Sequence, residues 1–179
     1  MLDLHVLLHH KNAEWNTQCR STIAAAVGQA PYPVAVHYLQ GEDGHIGRGR
    51  ARGYALGQHP YVTYVDHDDY LLPDALEALW PALQEQPDAI FPRELNVLKS
   101  GFVRANNHQR HHLCLYKREF IIDHTQYVAC GDLAQIYAMD GKNVVDLPHR
   151  GYVHRNYDSP GRDLRLANPE EYQRVIHGR

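Results

Sequence analysis

The sequence is poor in cysteine and has no long apolar segment. The three cysteines among the 179 residues are widely spaced, and none belongs to a Cys-x-x-Cys pair. Neither a disulfide framework nor a cysteine-ligated zinc site is therefore predicted. No apolar run approaches the length of a membrane span, and the first residues lack the basic segment and apolar core of a secretion signal. We accordingly expect a cytoplasmic protein with no membrane span.

An excess of charge of one sign is also absent. The formal net charge is -3, which gives no strong field for nucleic acid or for an anionic membrane. The length suits one domain with a sizeable core and not two. Fourteen histidines are unusually many, but those at 9–10 and 108–112 lack metal-ligand spacing on a firm element. We interpret them as surface residues.

Apolar runs alternate with helical patterns in the first part of the chain. A strand is predicted over 4–8, a helix over 15–27 and a second strand over 34–39. This order of strand, helix and strand is typical of the beginning of a parallel sheet. The second strand ends in acids, Glu42 and Asp43.

The most informative stretch is Tyr61-Val62-Thr63-Tyr64-Val65-Asp66-His67-Asp68-Asp69. Its uncharged first half predicts a strand buried on both faces. Open α/β sheets bind ligands at the carboxyl ends of their strands, which is where the acids Asp66, Asp68 and Asp69 stand. A divalent cation with oxygen ligands would relieve their repulsion. The alternative is a solvated acidic turn before a helix, and this stretch alone does not decide between them.

A glycine- and arginine-rich segment precedes this strand, over residues 47–57. Arg48 and Arg52 are four residues apart and would share one face of a short helix. Glycine lets a backbone approach a phosphate closely, and arginine pairs with phosphate oxygens in a bidentate manner. The alternative is a flexible basic loop without a ligand.

The second half predicts shorter elements. Pro73 suits the first turn of a helix, Pro81 kinks that helix or begins another, and strands are expected over 88–92, 112–116 and 144–148. Residues 99–110 are interpreted as a mobile loop. Asp132 precedes a helical segment and could cap it. A short helix is expected over 169–176.

This succession of motifs resembles the glycosyltransferases of the GT-A fold, and family 2 most of all. The matching motifs are Gly41-Glu42-Asp43-Gly44, the segment from Gly49 to Gly57 with Ala51-Arg52, Val65-Asp66-His67-Asp68-Asp69, Leu72-Pro73-Asp74-Ala75-Leu76, Gly131-Asp132-Leu133 and His154-Arg155-Asn156. Two departures are Gly53, where the family usually has asparagine, and Gly131, where an acid is common. The resemblance covers residues 2–158.

The resemblance implies an α/β fold of the GT-A type, with a mostly parallel central sheet flanked by helices. A single domain over residues 1–179 is expected. Its donor-binding half would cover about 1–92, and its acceptor and catalytic half about 93–158. Residues 159–179 would form a tail. The implied activity is transfer of a sugar from a nucleotide-sugar, with UDP as the expected nucleotide, to an acceptor hydroxyl with inversion.

The resemblance also assigns roles to residues. Asp66, Asp68 and His154 would hold Mn²⁺ or Mg²⁺, with Asp69 as the second choice among the acids. Asp43 or Glu42 would contact the nucleoside. Arg52 would orient the acids or approach the diphosphate, or else form a structural ion pair with Asp66. Arg155 would bind the diphosphate, and Asp132 would be the catalytic base. The loop over 99–112 could close over both substrates.

Three other functions stay open at this point. A nucleotidyltransferase also places acids around a metal and a nucleotide, but commonly has a glycine-rich loop after its first strand, which this chain lacks. A degenerate GT-A domain would bind a nucleotide without catalysis. A glycosyltransferase acting on DNA bases would need a phosphate-binding patch, for which the candidates are Arg104, Arg110, His111, His112, Lys117 and Arg118. The acceptor could therefore be a glycan, a small molecule or a nucleic acid.

Overall fold

A computed structural model describes residues 1–8, 13–42, 44–106, 112–155 and 165–177. The strands within them are β1 (Leu2–Leu8), β2 (Val34–Gln40), β3 (Tyr61–Asp66), β4 (Tyr70–Leu71), β5 (Ala89–Val97), β6 (Val103–Asn106), β7 (Leu115–Lys117) and β8 (Val144–Arg155). The main helices are α1 (Ala13–Gln29), α2 (Ile46–Tyr54), α3 (Trp80–Gln84), α4 (Gly131–Ala138) and α5 (Pro169–His177). Short 3₁₀ helices cover Glu77–Leu79, Arg118–Phe120 and His124–Gln126.

The strands form one mixed sheet in the order β2-β1-β3-β7-β5-β8-β4, with β6 beside β5. Within the described ranges, β1 pairs in parallel with β2 and β3, and β5 with β8. The other four pairings are antiparallel. Most of the paired residues are in parallel pairs, as expected, and β7 lies antiparallel between β3 and β5 and separates the two parallel groups.

Two of the three parallel strands at one side, β1 and β3, form the buried centre of the fold. β1 is buried along six of its seven residues, and the first five residues of β3 are buried as well. Helix α1 covers this part of the sheet with Cys19, Ile23 and Ala26. β3 is buried on both faces, so its residues are uncharged until the chain reaches the sheet edge at Asp66. This is the burial that the sequence predicts.

Strand β8 brings a distant part of the chain to the same edge. It follows β5 in parallel through Leu147, and after an irregularity pairs Tyr152 with Glu94 and Arg155 with Val97. On its other side, Val153 pairs with Tyr70 of β4, which immediately follows the acidic turn. The second half of β8 is thereby held beside Asp66, Asp68 and Asp69.

Two local expectations are changed by the structure. Residues 73–76 form turns, and helical structure begins only with Glu77–Leu79 and α3, so that Pro81 lies in the first turn of a second short helix. The segment interpreted as a mobile loop contains β6, which pairs antiparallel with β5. This hairpin turns at Gly101, whose φ is +81°, a conformation that glycine adopts without strain. Residues 107–111 lie outside the described ranges.

The final helix, α5, confirms the helix expected over 169–176 and is fastened by one carboxylate. Glu171 accepts hydrogen bonds from the backbone N–H groups of Val128, Ala129 and Cys130 at 2.7, 2.9 and 2.7 Å. These three residues lead directly into α4. Burial opposes ionisation of Glu171, but the three N–H donors outweigh it and lower its pKa.

We therefore expect Glu171→Gln to loosen α5, because the amide places its NH₂ group among N–H donors. Amide exchange at Val128, Ala129 and Cys130 should become at least about tenfold faster, as expected for the loss of a charged hydrogen bond. Because the pKa of Glu171 is lowered, the stability that its carboxylate adds is fully present above the ordinary glutamate pKa near 4.3. This stability is lost as pH falls through the lowered pKa.

Glu170→Gln is the matched control, because Glu170 is the exposed neighbour on the same helix. Equal exchange rates in the two variants, measured by hydrogen exchange with mass spectrometry, would contradict a fastening role for Glu171.

Candidate active site

The candidate site lies where β3 ends and the second half of β8 passes beside it. The chain turns tightly after β3, with the Asp69 N–H donating to the Asp66 carbonyl at 3.1 Å. The N–H of Asp66 points to the Tyr152 hydroxyl oxygen at 3.2 Å. The three acids of this turn therefore project into different surroundings, and each has a different partner.

Asp66 is paired with a buried arginine. Arg50, on α2, is 1% exposed and donates to Asp66 Oδ1. Its guanidinium stacks on the Tyr64 ring at 3.4 Å from the centroid, and its Nε lies 3.5 Å from Asp132 Oδ1. Burial opposes ionisation of Asp66, but the charge of Arg50 outweighs it and lowers the pKa of Asp66. One guanidinium thus joins two acids from separate motifs.

The ion pair suggested for Arg52 is made by Arg50 instead. Arg52 is exposed and donates to the Gln40 carbonyl at 2.9 Å. The two side chains lie on different faces of α2, because an α-helix advances 3.6 residues per turn. A role of Arg52 toward the diphosphate stays a prediction, whereas its ion pair with Asp66 was wrong.

Among the described residues, no cationic side chain forms an ion pair with Asp68, unlike Asp66. Its side chain is 5% exposed. Burial, and then the charges of Asp69 and Asp66, raise its pKa to about 8. A bound divalent cation would stabilise the ionised form of such a carboxyl group, so the residues present here fit a metal ion.

Asp69 holds β8 against the acidic turn. It is fully buried and accepts from the Tyr152 hydroxyl at 2.6 Å and from the Arg155 N–H at 2.7 Å. Its Oδ2 also lies 3.1 Å from His154 Nδ1. A carboxylate on one imidazole nitrogen leaves the other, Nε2, as the ligand atom, an arrangement common in metal sites. This geometry suits His154 as a ligand and gives Asp69 an orienting contact.

The structure adds a residue that the sequence interpretation placed on the surface. His112 is 4% exposed, so its interpretation as a surface histidine was wrong. Its ring stacks on Tyr152 at 4.8 Å and on His154 at 4.5 Å, and its Nδ1 lies 2.6 Å from Glu94 Oε2. Burial opposes the charged ring, but Glu94 outweighs it and raises the pKa of His112 to about 9.

Asp132 lies in the first turn of α4, whose cap position is occupied by Cys130. The capping role is therefore not the one that Asp132 has. Its side chain is 20% exposed and lies near Nε of Arg50, whereas Asp66 accepts from Nη2 of the same guanidinium. Its role as catalytic base stays a prediction.

The other candidates for donor contacts have different surroundings. Arg155 donates to the Asp68 carbonyl and to Gln18 Oε1, with its guanidinium near the rings of Trp15 and Tyr70. These contacts make it an anchor of β8, and a diphosphate contact stays a prediction. Glu42 pairs with Arg48 at 2.8 Å on the surface. Asp43 lies outside the described residues.

The basic patch suggested for nucleic acid is not formed by the residues that the structure describes. Lys117 pairs with Asp88 at 2.9 Å, and Arg118 with the buried Asp3 at 2.6 Å. His112 is buried in the site, and Arg110 and His111 are outside the described ranges. Arg104 is exposed on β6, and a DNA acceptor stays an untested alternative.

Comparison with known proteins agrees with this architecture. The model of the family described as Glycosyl transferase family 2 matches residues 20–139. The match covers more than half of the chain, which therefore belongs to glycosyl transferase family 2. Among curated proteins, none matches the sequence.

Solved structures share the fold at low identity. TarS 1-349 of S. aureus in complex with UDP has a TM-score of 0.69 at 14% identity, over 98% of this chain and 63% of that one. Its complex with UDP-GlcNAc has a TM-score of 0.65 at 14% identity, over 88% and 59%. The bifunctional IspDF from Campylobacter jejuni has 0.54 at 12%, over 83% and 50%. These likenesses establish the GT-A fold.

The chain spans less than two thirds of the TarS chain that it matches. None of the helices in the described ranges is both long and apolar enough to span a bilayer. The cytoplasmic location stays a prediction.

We expect Arg50→Met to destabilise the fold by about 3 kcal/mol, because removing one partner of a buried ion pair leaves the remaining charge uncompensated. Since Arg50 lowers the pKa of Asp66, the stability it adds is present above the ordinary aspartate value near 3.9 and is lost as pH falls through the lowered value. The free energies of unfolding of the unaltered protein and of Arg50→Met should therefore differ most at neutral pH and become similar in acid.

Urea unfolding at neutral and acidic pH measures this difference. Arg52→Met is the control on the same helix, and it should cost much less because Arg52 is exposed. If the two variants are equally stable at neutral pH, Arg50 does not have the central role described here.

Proposed function

We propose that the chain transfers a sugar from a UDP-sugar to an acceptor hydroxyl, with inversion, using Mn²⁺ or Mg²⁺. The observation that carries this proposal is the position of Arg50 between Asp66 and Asp132. The expected donor-side acid and the expected base both lie beside this one guanidinium. Membership of family 2 supports sugar transfer, and the UDP and UDP-GlcNAc complexes of TarS support the nucleotide.

In this proposal Asp66, Asp68 and His154 would hold the metal ion, with Asp69 orienting His154. The ion would neutralise charge that develops on the diphosphate as the sugar leaves. Asp66 and Arg50 would fix the donor side, and Glu42 or Asp43 would contact the nucleoside. Arg52, which is exposed on α2, would approach the diphosphate.

Asp132 would take the proton of the acceptor hydroxyl. A positioned general base contributes about 10²–10⁴-fold to such a step. Inversion follows when the acceptor oxygen attacks opposite the leaving diphosphate, so that no covalent sugar–enzyme intermediate is required. The donor-binding half, 1–92, and the acceptor half, 93–158, would meet at Arg50.

The rival functions make different products. A nucleotidyltransferase would release pyrophosphate, whereas sugar transfer releases UDP. A degenerate domain would bind UDP without turnover on any acceptor. Thermal stability with a panel of nucleotide-sugars, with Mn²⁺, Mg²⁺ or EDTA, identifies the donor first, because a ligand that binds only the folded state raises the melting temperature.

We expect Asp132→Asn to lower kcat by about 10²–10⁴-fold while UDP affinity changes less than about twofold, because the base acts on the acceptor and not on the nucleotide. Calorimetry with UDP and a UDP-release assay measure the two effects separately. Asp140→Asn, at the exposed end of the segment that follows α4, should keep both values. A kcat unchanged in Asp132→Asn would exclude Asp132 as the base.

A further inference from the structure

Two imidazoles in the candidate site are each backed by a buried carboxylate. His154 Nδ1 lies 3.1 Å from Asp69 Oδ2, and His112 Nδ1 lies 2.6 Å from Glu94 Oε2. The Asp69 side chain is 1% exposed, and so is that of Glu94. Histidines that bind metals usually have their other ring nitrogen on such a carboxylate, which fixes the orientation of the ring. The same arrangement occurs here twice.

The second imidazole is held rigidly and faces the acidic turn. The His112 ring lies between those of Tyr152 and His154, with interplanar angles of 4° and 23°. Glu94 is itself fixed, because its other oxygen accepts from the Asn106 amide at 2.5 Å. The Nε2 atom of His112 is 3.7 Å from Asp66 Oδ2, so this edge of the ring is directed at the acids.

The candidate ligand atoms converge. One ligand-type atom from each of Asp69, His112 and His154 lies within 4.8 Å of the other two. Nitrogen atoms at about 2.1 Å from a metal ion lie up to about 4.2 Å apart when they are opposite each other. The three atoms are therefore close to the spacing of ligands that share one ion.

We propose that His112 is a second imidazole ligand of the metal ion, beside His154. The proposal rests on the metal site of the proposed function and extends it. His112 binds through Nε2, where the cation replaces the ring proton, and Glu94 positions His112 as Asp69 positions His154. The carboxylates of the acidic turn complete a mixed nitrogen and oxygen site.

This ligand set favours one class of cation. Imidazole ligands suit transition-metal ions such as Fe²⁺, Ni²⁺ and Zn²⁺, and a site that combines imidazole with carboxylate also accepts Mn²⁺, whereas Mg²⁺ prefers oxygen ligands and keeps its water. The protein should accordingly bind Mn²⁺ at least about tenfold more tightly than Mg²⁺ in the absence of nucleotide.

The first experiment needs no substitution. The protein is prepared with ¹⁵N-labelled histidine and loaded with Mn²⁺ alone, and pulsed electron paramagnetic resonance then counts the histidine nitrogens bound to the ion. We expect two. A single bound nitrogen in the unaltered protein would overturn the proposal.

Substitutions then assign the nitrogens. His112→Asn should leave one bound nitrogen and weaken Mn²⁺ binding about 10–100-fold, and Glu94→Gln should weaken it by a similar or smaller factor. His149→Asn is the control, because His149 is also on β8 but lies near Asp74, at 3.6 Å. Circular dichroism verifies that each variant is folded. Two bound nitrogens in folded His112→Asn would also overturn the proposal.

The outcomes separate this inference from the proposed function. If the unaltered protein transfers sugar in EDTA and binds no Mn²⁺, the His112 site is wrong and sugar transfer stands. If Mn²⁺ is bound by two histidine nitrogens but no UDP is released with any donor and acceptor, the metal site stands and the proposed transfer fails.

Discussion

The buried guanidinium of Arg50 is the contact on which the candidate site depends. It lies on the Tyr64 ring, pairs with Asp66 and approaches Asp132. A charge that is 1% exposed is tolerated only when it is paired, because desolvation is costly. Both acids are therefore fixed in position relative to one cation, and so are β3 and α4, which carry them.

Asp69 connects β8 to the acidic turn, as Arg50 connects α2 to Asp66 and Asp132. It accepts from the side chain of Tyr152 and the backbone of Arg155, and it orients His154. The acidic turn thus contains one acid bound to an arginine, one that has no ion pair with a described residue and one that fastens a neighbouring strand. Three similar residues have different roles because their surroundings differ, and the pKa of Asp68 is raised by burial and by the neighbouring acids, a shift that a metal ion would oppose.

The sequence predicts the parts of this site that are encoded locally. An uncharged run followed by acids is visible at Tyr61–Asp66 and the turn after it, because burial of β3 excludes charge until the sheet edge. The sequence interpretation assigned the ion pair with Asp66 to Arg52 and not to Arg50. The glycines of α2 nevertheless indicate which face of this helix is packed. A Cβ on Gly53 would lie 2.3 Å from the His5 ring, and one on Gly49 would lie 2.9 Å from Leu7. These glycines mark the packed face of α2.

His112 illustrates what local patterns do not encode. Its position depends on Glu94, eighteen residues earlier, and on rings about forty residues later. The available signal was in β5, where Glu94 and Asn96 occupy buried positions of an alternating strand. Polar residues at such positions require partners inside the protein, but the sequence does not say which residues these are. The position of β7 between β3 and β5 was not predicted for a similar reason, because it depends on contacts between distant parts of the chain.

β8 follows the other described strands in the chain, and this order determines when a newly made chain completes its candidate site. Arg155 reaches Gln18, 137 residues earlier, and Asp69, 86 residues earlier. Contacts between such distant residues form slowly, because closing a long loop costs chain entropy before the stabilising contacts form. A ribosome-bound chain can complete β1, β2 and β3 long before β8 emerges. At that point the acidic turn lacks Tyr152, His154 and Arg155. The nascent chain therefore contains β1, β2 and β3 before its candidate site is complete.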